Sequence, residues 1–239
     1  MENAQELYQL AENYRKGTNG CTRDGEKALN YYYQALEAGK PCYNEIGLVY
    51  KNGIQPIKQD LHQALKVFSM DPDNVSCLYN AGRIYRSGGD DIEDFQKARE
   101  CFLKAADKGN GMACVQLGWM YAYGEGVEQN SKQALDWFIT GTDHKEDYAY
   151  FAAGQLFSIG PDESIYNQEL ALKCLLFIDS EKSYYPNAQA IAGDIYYYGK
   201  GEVEQDYEKA VKHFTNAALK KTSIRCSCSL RCIKTDSAD

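Results

Sequence analysis

The sequence predicts an all-α protein, a right-handed α-solenoid of six helix-turn-helix repeats with about twelve helices. Three observations predict this fold: an internal repeat of about 36 residues, helical spacing of apolar residues in every copy, and a composition suited to a folded core. The 239 residues are 44% hydrophobic, which is enough for an ordinary core. Because one helix pair cannot bury both of its apolar stripes, we expect the six copies to stack and seal one another.

The first helix of each copy is marked by a small residue, an aromatic ring three residues later, and a glycine three residues after the ring. A small residue and a ring at this spacing share one helix face, where another helix can approach closely. The glycine suits the left-handed conformation that ends a helix. These triplets are Ala11/Tyr14/Gly17, Gly47/Tyr50/Gly53, Gly82/Tyr85/Gly88, Gly118/Tyr121/Gly124, Gly154/Phe157/Gly160 and Gly193/Tyr196/Gly199.

The second helix of each copy is marked by an Asp or Asn four residues before an alanine. The side-chain oxygen of Asp or Asn accepts a hydrogen bond from an unpaired amide in the first turn and so caps a helix. The alanine then lies one turn inside the helix. The six pairs are Asp24/Ala28, Asp60/Ala64, Asp94/Ala98, Asn130/Ala134, Asn167/Ala171 and Asp206/Ala210.

These columns divide the chain into a repeat region and a tail. We expect the solenoid to occupy residues 1–221, with repeats at approximately 4–39, 40–74, 75–110, 111–145, 146–185 and 186–221. Residues 222–239 form a basic tail containing Cys226, Cys228 and Cys232, which we expect to be a capping or disordered segment. Zinc ligation and acylation beside the basic residues are the two alternatives for these cysteines.

The fourth copy carries the motif of a known family most completely. Its residues are Ala113, Leu117, Gly118, Tyr121, Gly124, Gly126, Val127, Asn130, Gln133, Ala134, Trp137 and Phe138. This pattern resembles the Sel-1-like repeat family, a relative of the tetratricopeptide repeats. The resemblance covers about residues 4–221 and implies a non-catalytic adaptor or scaffold that binds a partner protein and needs no cofactor.

Three copies depart from the family pattern. The first copy has Ala11 in place of glycine, the second has Gln55 and Pro56 in its loop, and the fifth has Pro161 and lacks a pair of alanines. We therefore expect irregular loops in the second and fifth copies.

Composition excludes several classes of protein. The chain has 26 Lys and Arg against 34 Asp and Glu, and the net charge of −8 argues against a nucleic-acid partner. The longest purely apolar run, residues 175–178, is too short to cross a membrane, and the start resembles no secretory signal. We expect a cytoplasmic protein whose cysteines in the repeats are reduced thiols.

The first helices are predicted to line the concave face of the solenoid, where a partner or an extended peptide binds. If the small residues pack against the neighbouring helix pair, the positions three before, one after and four after each of them point into this groove. The candidate partner-binding residues are Arg15, Lys51, Tyr79, Arg83, Arg86, Trp119, Phe151, Asp194 and Tyr197. The acidic part or carboxyl terminus of a peptide is expected against Lys51, Arg83 and Arg86, and an apolar side chain against Trp119 and Phe151. The alternative is that these are ordinary solvated and packing residues.

No catalytic or metal-binding pattern accompanies the repeats. The histidines His62, His144 and His213 have no catalytic or ligand spacing, and we predict neither a catalytic residue nor a metal site. Two alternatives to a general adaptor are a hydrolase or cell-wall-active protein and a dedicated inhibitor or regulator of one enzyme.

The last copy has no seventh repeat to cover it. We expect its second helix, residues 206–221, to expose a stripe that includes Ala210, Phe214 and Ala217. Either the tail or a second molecule, in an end-to-end association, is expected to shield this stripe.

Overall fold

The computed structural model describes residues 3–89, 91–161, 166–199 and 201–220, and the tail cysteines Cys226, Cys228 and Cys232 lie outside them. All regular secondary structure in these residues is helical. The helices are α1 (Ala4–Lys16), α2 (Gly25–Glu37), α3 (Tyr43–Asn52), α4 (Leu61–Phe68), α5 (Val75–Ser87), α6 (Phe95–Asp107), α7 (Gly111–Tyr123), α8 (Ser131–Asp143), α9 (Tyr148–Ile159), α10 (Gln168–Leu176), α11 (Tyr185–Tyr198) and α12 (207–220). The predicted all-α repeat solenoid is confirmed, with two helices in each of the six copies.

The helices are distributed over two compact units, which meet in sequence between Asn110 and Gly111. Unit 1 contains α1 to α6 and unit 2 contains α7 to α12. The division coincides with the boundary predicted between the third and fourth repeats. In each unit a first helix packs on the second helix of its own copy, and first helices of neighbouring copies also touch, as α3 does with α5 and α9 with both α7 and α11.

The predicted caps of the second helices are all present. The side chains of Asp24, Asp60, Asp94, Asn130 and Asn167 accept hydrogen bonds from amides in the first turns of α2, α4, α6, α8 and α10. Asp206 accepts a hydrogen bond from the amide of Lys209 at the start of α12. Each cap therefore satisfies a donor that the helix itself leaves unpaired.

The same cap residues also close the loop of each copy. Their backbone N–H groups donate to the carbonyl oxygens of the aromatic residues on the first helices. The six distances run from 2.7 to 3.0 Å, for Asp24–Tyr14, Asp60–Tyr50, Asp94–Tyr85, Asn130–Tyr121, Asn167–Phe157 and Asp206–Tyr196. In every copy, whatever the loop sequence, the cap residue is therefore hydrogen-bonded both to the first turn of the second helix and to the first helix.

The glycines after the rings behave as predicted in four copies. Gly17, Gly53, Gly124 and Gly199 have φ between 60° and 74°. The third copy differs because Gly88 has φ −84° and the next residue, Gly89, takes the positive φ of 91°. The fifth copy differs because Gly160 is extended, with φ −61° and ψ 173°.

In the second to sixth copies, the glycine of the first helix lies against a large side chain of the second helix in the same copy. A Cβ added at Gly47, Gly82, Gly118 or Gly193 would lie 2.3 to 2.7 Å from the nearest ring atom of Phe68, Phe102, Phe138 or Phe214, respectively, and one at Gly154 would lie 2.7 Å from Leu175. A contact this short is not seen for real Cβ atoms, so these glycines are required by the close approach of the two helices. The assumption that the small residues pack against the neighbouring pair is therefore wrong.

The exposed stripe predicted for the last copy needs correction. Ala210 and Ala217 are 1% and 7% exposed, and Phe214 is 37% exposed although its ring lies against Gly193 of α11. The open side of α12 is instead carried by Tyr207 and Val211, which are 57% and 64% exposed.

The cysteines in the described residues carry free thiols. Cys42, Cys77 and Cys114 are buried, and burial raises the pKa of Cys42 to about 11 and that of Cys77 to about 12. These thiols are therefore protonated at neutral pH and act as small packing groups. In the described part of the chain, no helix is both long and apolar enough to cross a membrane.

The first copy contains a buried ionic cluster in place of a glycine contact. The Glu12 side chain is 8% exposed and accepts hydrogen bonds from the Tyr32 hydroxyl and from Arg15, whose Nε lies 2.8 Å away. The ammonium group of Lys16 also pairs with this carboxylate. Burial raises the pKa of Glu12, but the hydrogen bonds from Arg15, Lys16 and Tyr32 outweigh it and lower the pKa to about 2.

We predict that Gly118→Ala lowers the free energy of unfolding by about 1–3 kcal/mol, measured by urea denaturation. The added methyl group would lie 2.3 Å from the ring of Phe138, which is 0% exposed and has no room to retreat. Lys132→Ala, at an exposed position of α8, is the control and should change stability by a few tenths of a kcal/mol. Equal stability of Gly118→Ala and the control would contradict the contact.

We predict that Glu12→Gln lowers the free energy of unfolding by about 3 kcal/mol at pH 7. A carboxylate whose pKa falls from 4.5 to about 2 on folding stabilises the fold fully above pH 4.5, and this contribution is lost as the pH falls towards 2. The difference between the variant and the wild type should therefore shrink in acid. Glu37→Gln, which alters an exposed carboxylate at the end of α2, should show neither effect. A loss in Glu12→Gln that does not change with pH would refute the assigned ion pair.

Candidate functional site

The candidate site in unit 1 is the first-helix face, defined here as the outward positions of α1, α3 and α5. Its predicted side chains remain accessible although the packing assumption behind the prediction was wrong. Arg83 is exposed, and Arg15, Lys51, Tyr79 and Arg86 are partly exposed. The glycines of the first helices pack on the second helices of their own copies and not on the neighbouring pair, but these positions still lie on the side of the helix that faces away from the packed side chains.

Arg15, in the first copy, is already engaged within its own helix. Its Nε and one terminal nitrogen lie 2.8 and 2.9 Å from the two carboxylate oxygens of Glu12. The Nε also lies 3.1 Å from the Tyr32 hydroxyl oxygen. This fork-shaped pairing occupies the guanidinium, so the positive charge of the first copy is neutralised internally.

Lys51, in the second copy, is held by amides. Its ammonium group donates to Asn80 Oδ1 at 3.2 Å, and the Asn80 amide nitrogen donates to Asn44 Oδ1 at 2.9 Å. Asn80 is only 9% exposed, so this chain of hydrogen bonds fixes the lysine between α3 and α5. Asn80 was not among the predicted site residues, although it lies 36 residues, about one repeat, after Asn44, and this spacing could have indicated an amide pair between neighbouring copies.

Arg83, in the third copy, supplies a second cation next to Lys51. Burial and the positive charge of Arg83 lower the pKa of Lys51, so the two cations act on each other. The Arg83 guanidinium carbon lies 5.9 Å from the centre of the Tyr79 ring, which orients the group over the aromatic face. Among the described residues, neither Lys51 nor Arg83 forms an ion pair with a carboxylate. Lys51 is partly buried and Arg83 is exposed, and two cations that lack an anion favour binding of an anionic group.

In unit 2 the same positions are mostly apolar. Trp119 is partly exposed, stacks on Tyr123 at 5.6 Å and meets the edge of Phe138 at 5.1 Å. Phe151 is 4% exposed and packs against Tyr148 and Tyr184 in the core, so its ring is not open to a partner in this structure. The helices α7 and α9 are apolar on nearly all sides because α9 contacts both α7 and α11.

The last copy presents a small polar and aromatic surface. Asp194 is exposed, and partial burial raises the pKa of its carboxyl group. Tyr197 is 45% exposed and makes edge contacts with Tyr198 and Tyr207 at 5.0 and 5.5 Å. The structure thus places both predicted residues at the surface of unit 2.

The histidines do not form a common site. His62 lies 3.2 Å from Asp91 at the surface, and His213 stacks on Tyr196 and lies 2.7 Å from Gln189 Oε1. His144 is exposed at the end of α8. Within the described ranges, no group of three or more His, Cys, Asp and Glu side chains could hold a metal ion.

The model of the Sel1 repeat family matches residues 7–40, 41–66, 75–110, 111–143 and 186–221, more than half of the chain. It does not match the fifth copy, where Pro161 follows α9 and the second-helix side chain is Leu175. That copy nevertheless forms the helix pair of α9 and α10 with the same contact to Gly154.

Two curated relatives share part of the sequence. The chain is 27% identical over 191 residues to the chitin synthase regulator SKT5 of Saccharomyces cerevisiae, which covers 74% of this chain and 27% of that protein. It is 32% identical over 103 residues to the ERAD-associated E3 ubiquitin-protein ligase component HRD3B of Arabidopsis thaliana, which covers 43% of this chain and 16% of that protein. The matches therefore span about a quarter of these relatives or less.

Two solved structures share the fold. A Sel1 repeat protein from Oxalobacter formigenes has a TM-score of 0.71 at 23% identity and covers 90% of this chain and 87% of its own. The immunity protein PA5088 from Pseudomonas aeruginosa has a TM-score of 0.55 at 16% identity and covers 93% and 83%, respectively. The Sel1 repeat fold is typical of protein–protein interaction. From the family match and its repeated contacts, we conclude that this chain belongs to the Sel1 repeat family.

Proposed function

We propose that this chain is a non-catalytic adaptor that holds a partner protein by an acidic group on the first-helix face of unit 1. The observation that carries the proposal is the pair Lys51 and Arg83, two neighbouring cations that lack a carboxylate among the described residues. A carboxylate side chain or a carboxyl terminus is the group that this pair fits. Arginine offers a planar fork for carboxylate oxygens, and lysine adds a compact charge beside it.

The first copy supports this assignment because it contains the proposed interaction in an internal form. There the position after the small residue is Glu12, and the position four after it is Arg15, so the helix neutralises itself. In the second and third copies the position after the small residue holds Leu48 or Arg83, and neither supplies a carboxylate. The partner would supply the group that Glu12 supplies in α1.

The amide network supports the proposal on energetic grounds. Asn44 and Asn80 hold Lys51 before any partner arrives, so little side-chain freedom remains to be lost on binding. The charge of Arg83 acts on the partly buried Lys51, and a carboxylate placed between the two cations relieves their repulsion. Tyr79 and Arg86, on the same helix as Arg83, extend the surface that a peptide would cover.

In unit 2 we propose a separate apolar contact at Trp119, whose indole ring is partly exposed and backed by Tyr123 and Phe138. Asp194 and Tyr197 at the last copy are proposed as polar contacts of the same unit. Tryptophan and tyrosine are frequent among the residues that dominate binding energy.

A second candidate function is regulation of one enzyme by direct binding. The observation that favours it is the match over 74% of this chain to a protein described as a chitin synthase regulator. Such a regulator would use the same carboxylate site, because the geometry serves a general adaptor and a dedicated regulator equally.

We predict that a fluorescein-labelled hexaglutamate peptide binds the wild-type chain and that Arg83→Glu weakens this binding at least about tenfold, measured by fluorescence polarisation. Lys66→Glu makes the same change of charge on an exposed position of α4 and is the matched control, which should bind as the wild type does. Added salt should weaken binding to the wild type. Equal binding of a hexaglutamine peptide, or unchanged binding by Arg83→Glu, would rule out the carboxylate site.

The identity of the partner is tested by affinity purification from the native cell extract with the wild type, Arg83→Glu and Lys66→Glu. We predict a stoichiometric protein that is retained by the wild type and Lys66→Glu and lost with Arg83→Glu. A single enzyme in that place supports the regulator, and several unrelated proteins support the general adaptor. Retention of the same protein by Arg83→Glu would place binding elsewhere on the chain.

A further inference from the structure

A cavity of about 180 Å³ lies between α4, α5 and α6 in unit 1. Its lining is mostly apolar, and its principal residues are Leu65, Phe68, Cys77, Leu78, Ala81 and Cys101. The cavity is open to solvent, since Ser69, Pro72 and Lys104 at its edge are exposed. A cavity of about 150 Å³ can hold a benzene molecule, so this one has room for a single large side chain.

The cavity lies where α4 is shorter than the second helix of the preceding copy. The helix α2 has 13 residues after its cap, Asp24, whereas α4 has 8 residues after Asp60. The position of Leu36 in α2 corresponds to Pro72 in the second copy, which follows the end of α4 and is exposed. The second copy therefore lacks the helical turn that would cover this part of α5.

The first helix of the third copy also has a small side chain at the cavity. The residue immediately before the glycine is Ile46 in the second copy and Leu117 in the fourth, and both are 0% exposed. In the third copy this residue is Ala81, which is partly exposed and lines the cavity. The space that a larger side chain fills in those two copies is therefore open in the third.

The first copy shows which group fits a space of this kind. Leu36, in the last turn of α2, packs against the core cluster that contains Leu29, Cys42 and Ile46. Their equivalents around the cavity are Leu65, Cys77 and Ala81. The group that occupies the corresponding place in the first copy is thus a leucine side chain, supplied by the turn that α4 lacks.

A cation lies at the edge of the cavity. Lys104 is exposed and forms no ion pair within the part of the chain that the structure describes. Lys108, one turn further along α6, is already paired with Asp73 at 3.1 Å. An apolar side chain with a carboxylate beside it therefore suits both the lining of the cavity and its edge.

We propose that this cavity binds a leucine side chain of a partner protein, and that an acidic residue next to this leucine pairs with Lys104. The leucine takes the place that Leu36 of α2 fills in the first copy. The cavity is separate from the carboxylate site on the first-helix face. Ala81 and Arg83 are two residues apart on α5, so their side chains point about 200° apart around the helix.

The probe is the acetylated and amidated peptide Gln-Ala-Leu-Glu-Ala-Gly, which has the sequence of residues 34–39 at the end of α2. It is added to the full chain while NMR follows the methyl signals of Leu65 and Leu78, which line the cavity. We expect both signals to shift, and we expect a peptide with alanine in place of leucine to bind at least about tenfold more weakly. A leucine peptide that shifts neither signal, or an alanine peptide that binds equally well, overturns the proposal.

Ala81→Leu should abolish binding of the leucine peptide, because it places in the cavity a side chain like those of the neighbouring copies. The variant should also have a higher unfolding temperature, since a filled cavity gains packing contacts, and lost binding then cannot result from unfolding. Hexaglutamate should bind it as it binds the wild type, because Lys51 and Arg83 are unchanged. Undiminished binding of the leucine peptide by Ala81→Leu would contradict the proposed place of binding.

Lys104→Glu should weaken binding of the leucine peptide about threefold or more, as expected for the loss of an exposed ion pair and the gain of a repulsion. Lys66→Glu, on the exposed surface of α4 outside the cavity, is the matched control and should bind as the wild type does. An equal loss in both variants would refute the ion pair. Hexanoate tests the other occupant: shifts of Leu65 and Leu78 with hexanoate but not with the peptide would assign the cavity to a small fatty acid and overturn the proposal.

Discussion

The contact between the glycine of a first helix and the large side chain of its second helix, present in the second to sixth copies, is the constraint on which the structure depends. A phenylalanine ring, or Leu175 in the fifth copy, lies where a Cβ would otherwise be, so the two helices of a copy approach at one fixed place. The cap residue ties the same two helices at the loop, through its amide and the carbonyl oxygen of the aromatic residue. The hydrogen bond at the loop is present in all six copies and the glycine contact in five of them, although the loops differ in length and sequence.

This geometry decides which side chains remain available for binding. With one side of each first helix packed on its own second helix and the flanks packed on neighbouring copies, only a narrow strip stays open. In unit 1 the strip is polar, and its three copies differ in charge balance: the first neutralises itself through Glu12 and Arg15, whereas the second and third present Lys51 and Arg83. In unit 2 the strip is largely apolar and partly closed, as the burial of Phe151 illustrates. The helix pairs are therefore similar in backbone geometry from copy to copy, whereas the side chains on their exposed strip differ.

The helix pairs and their caps could be predicted from the sequence, because the same spacing of small, aromatic, cap and alanine residues recurs in six copies. The caps and the pairing of helices within each copy follow from spacing alone. The helix that packs against the glycines could not be predicted from spacing. Periodicity shows which side of a helix is packed but does not show which other helix packs on it. Asn80 was missed because a buried amide differs from an exposed one only in its neighbours. The stripe of α12 was misassigned because the spacing of apolar residues does not distinguish the buried Ala210 and Ala217 from the exposed Tyr207 and Val211.

The most direct test of a preformed carboxylate site is the pKa of the Lys51 ammonium group, measured by NMR of its Nζ in the free chain and with saturating hexaglutamate. Burial and the charge of Arg83 lower this pKa from 10.5 in the free chain. A carboxylate bound between the two cations favours the charged lysine, so the account predicts that the pKa rises when the peptide binds. A Lys51 pKa that stays the same in the saturated complex would contradict the account.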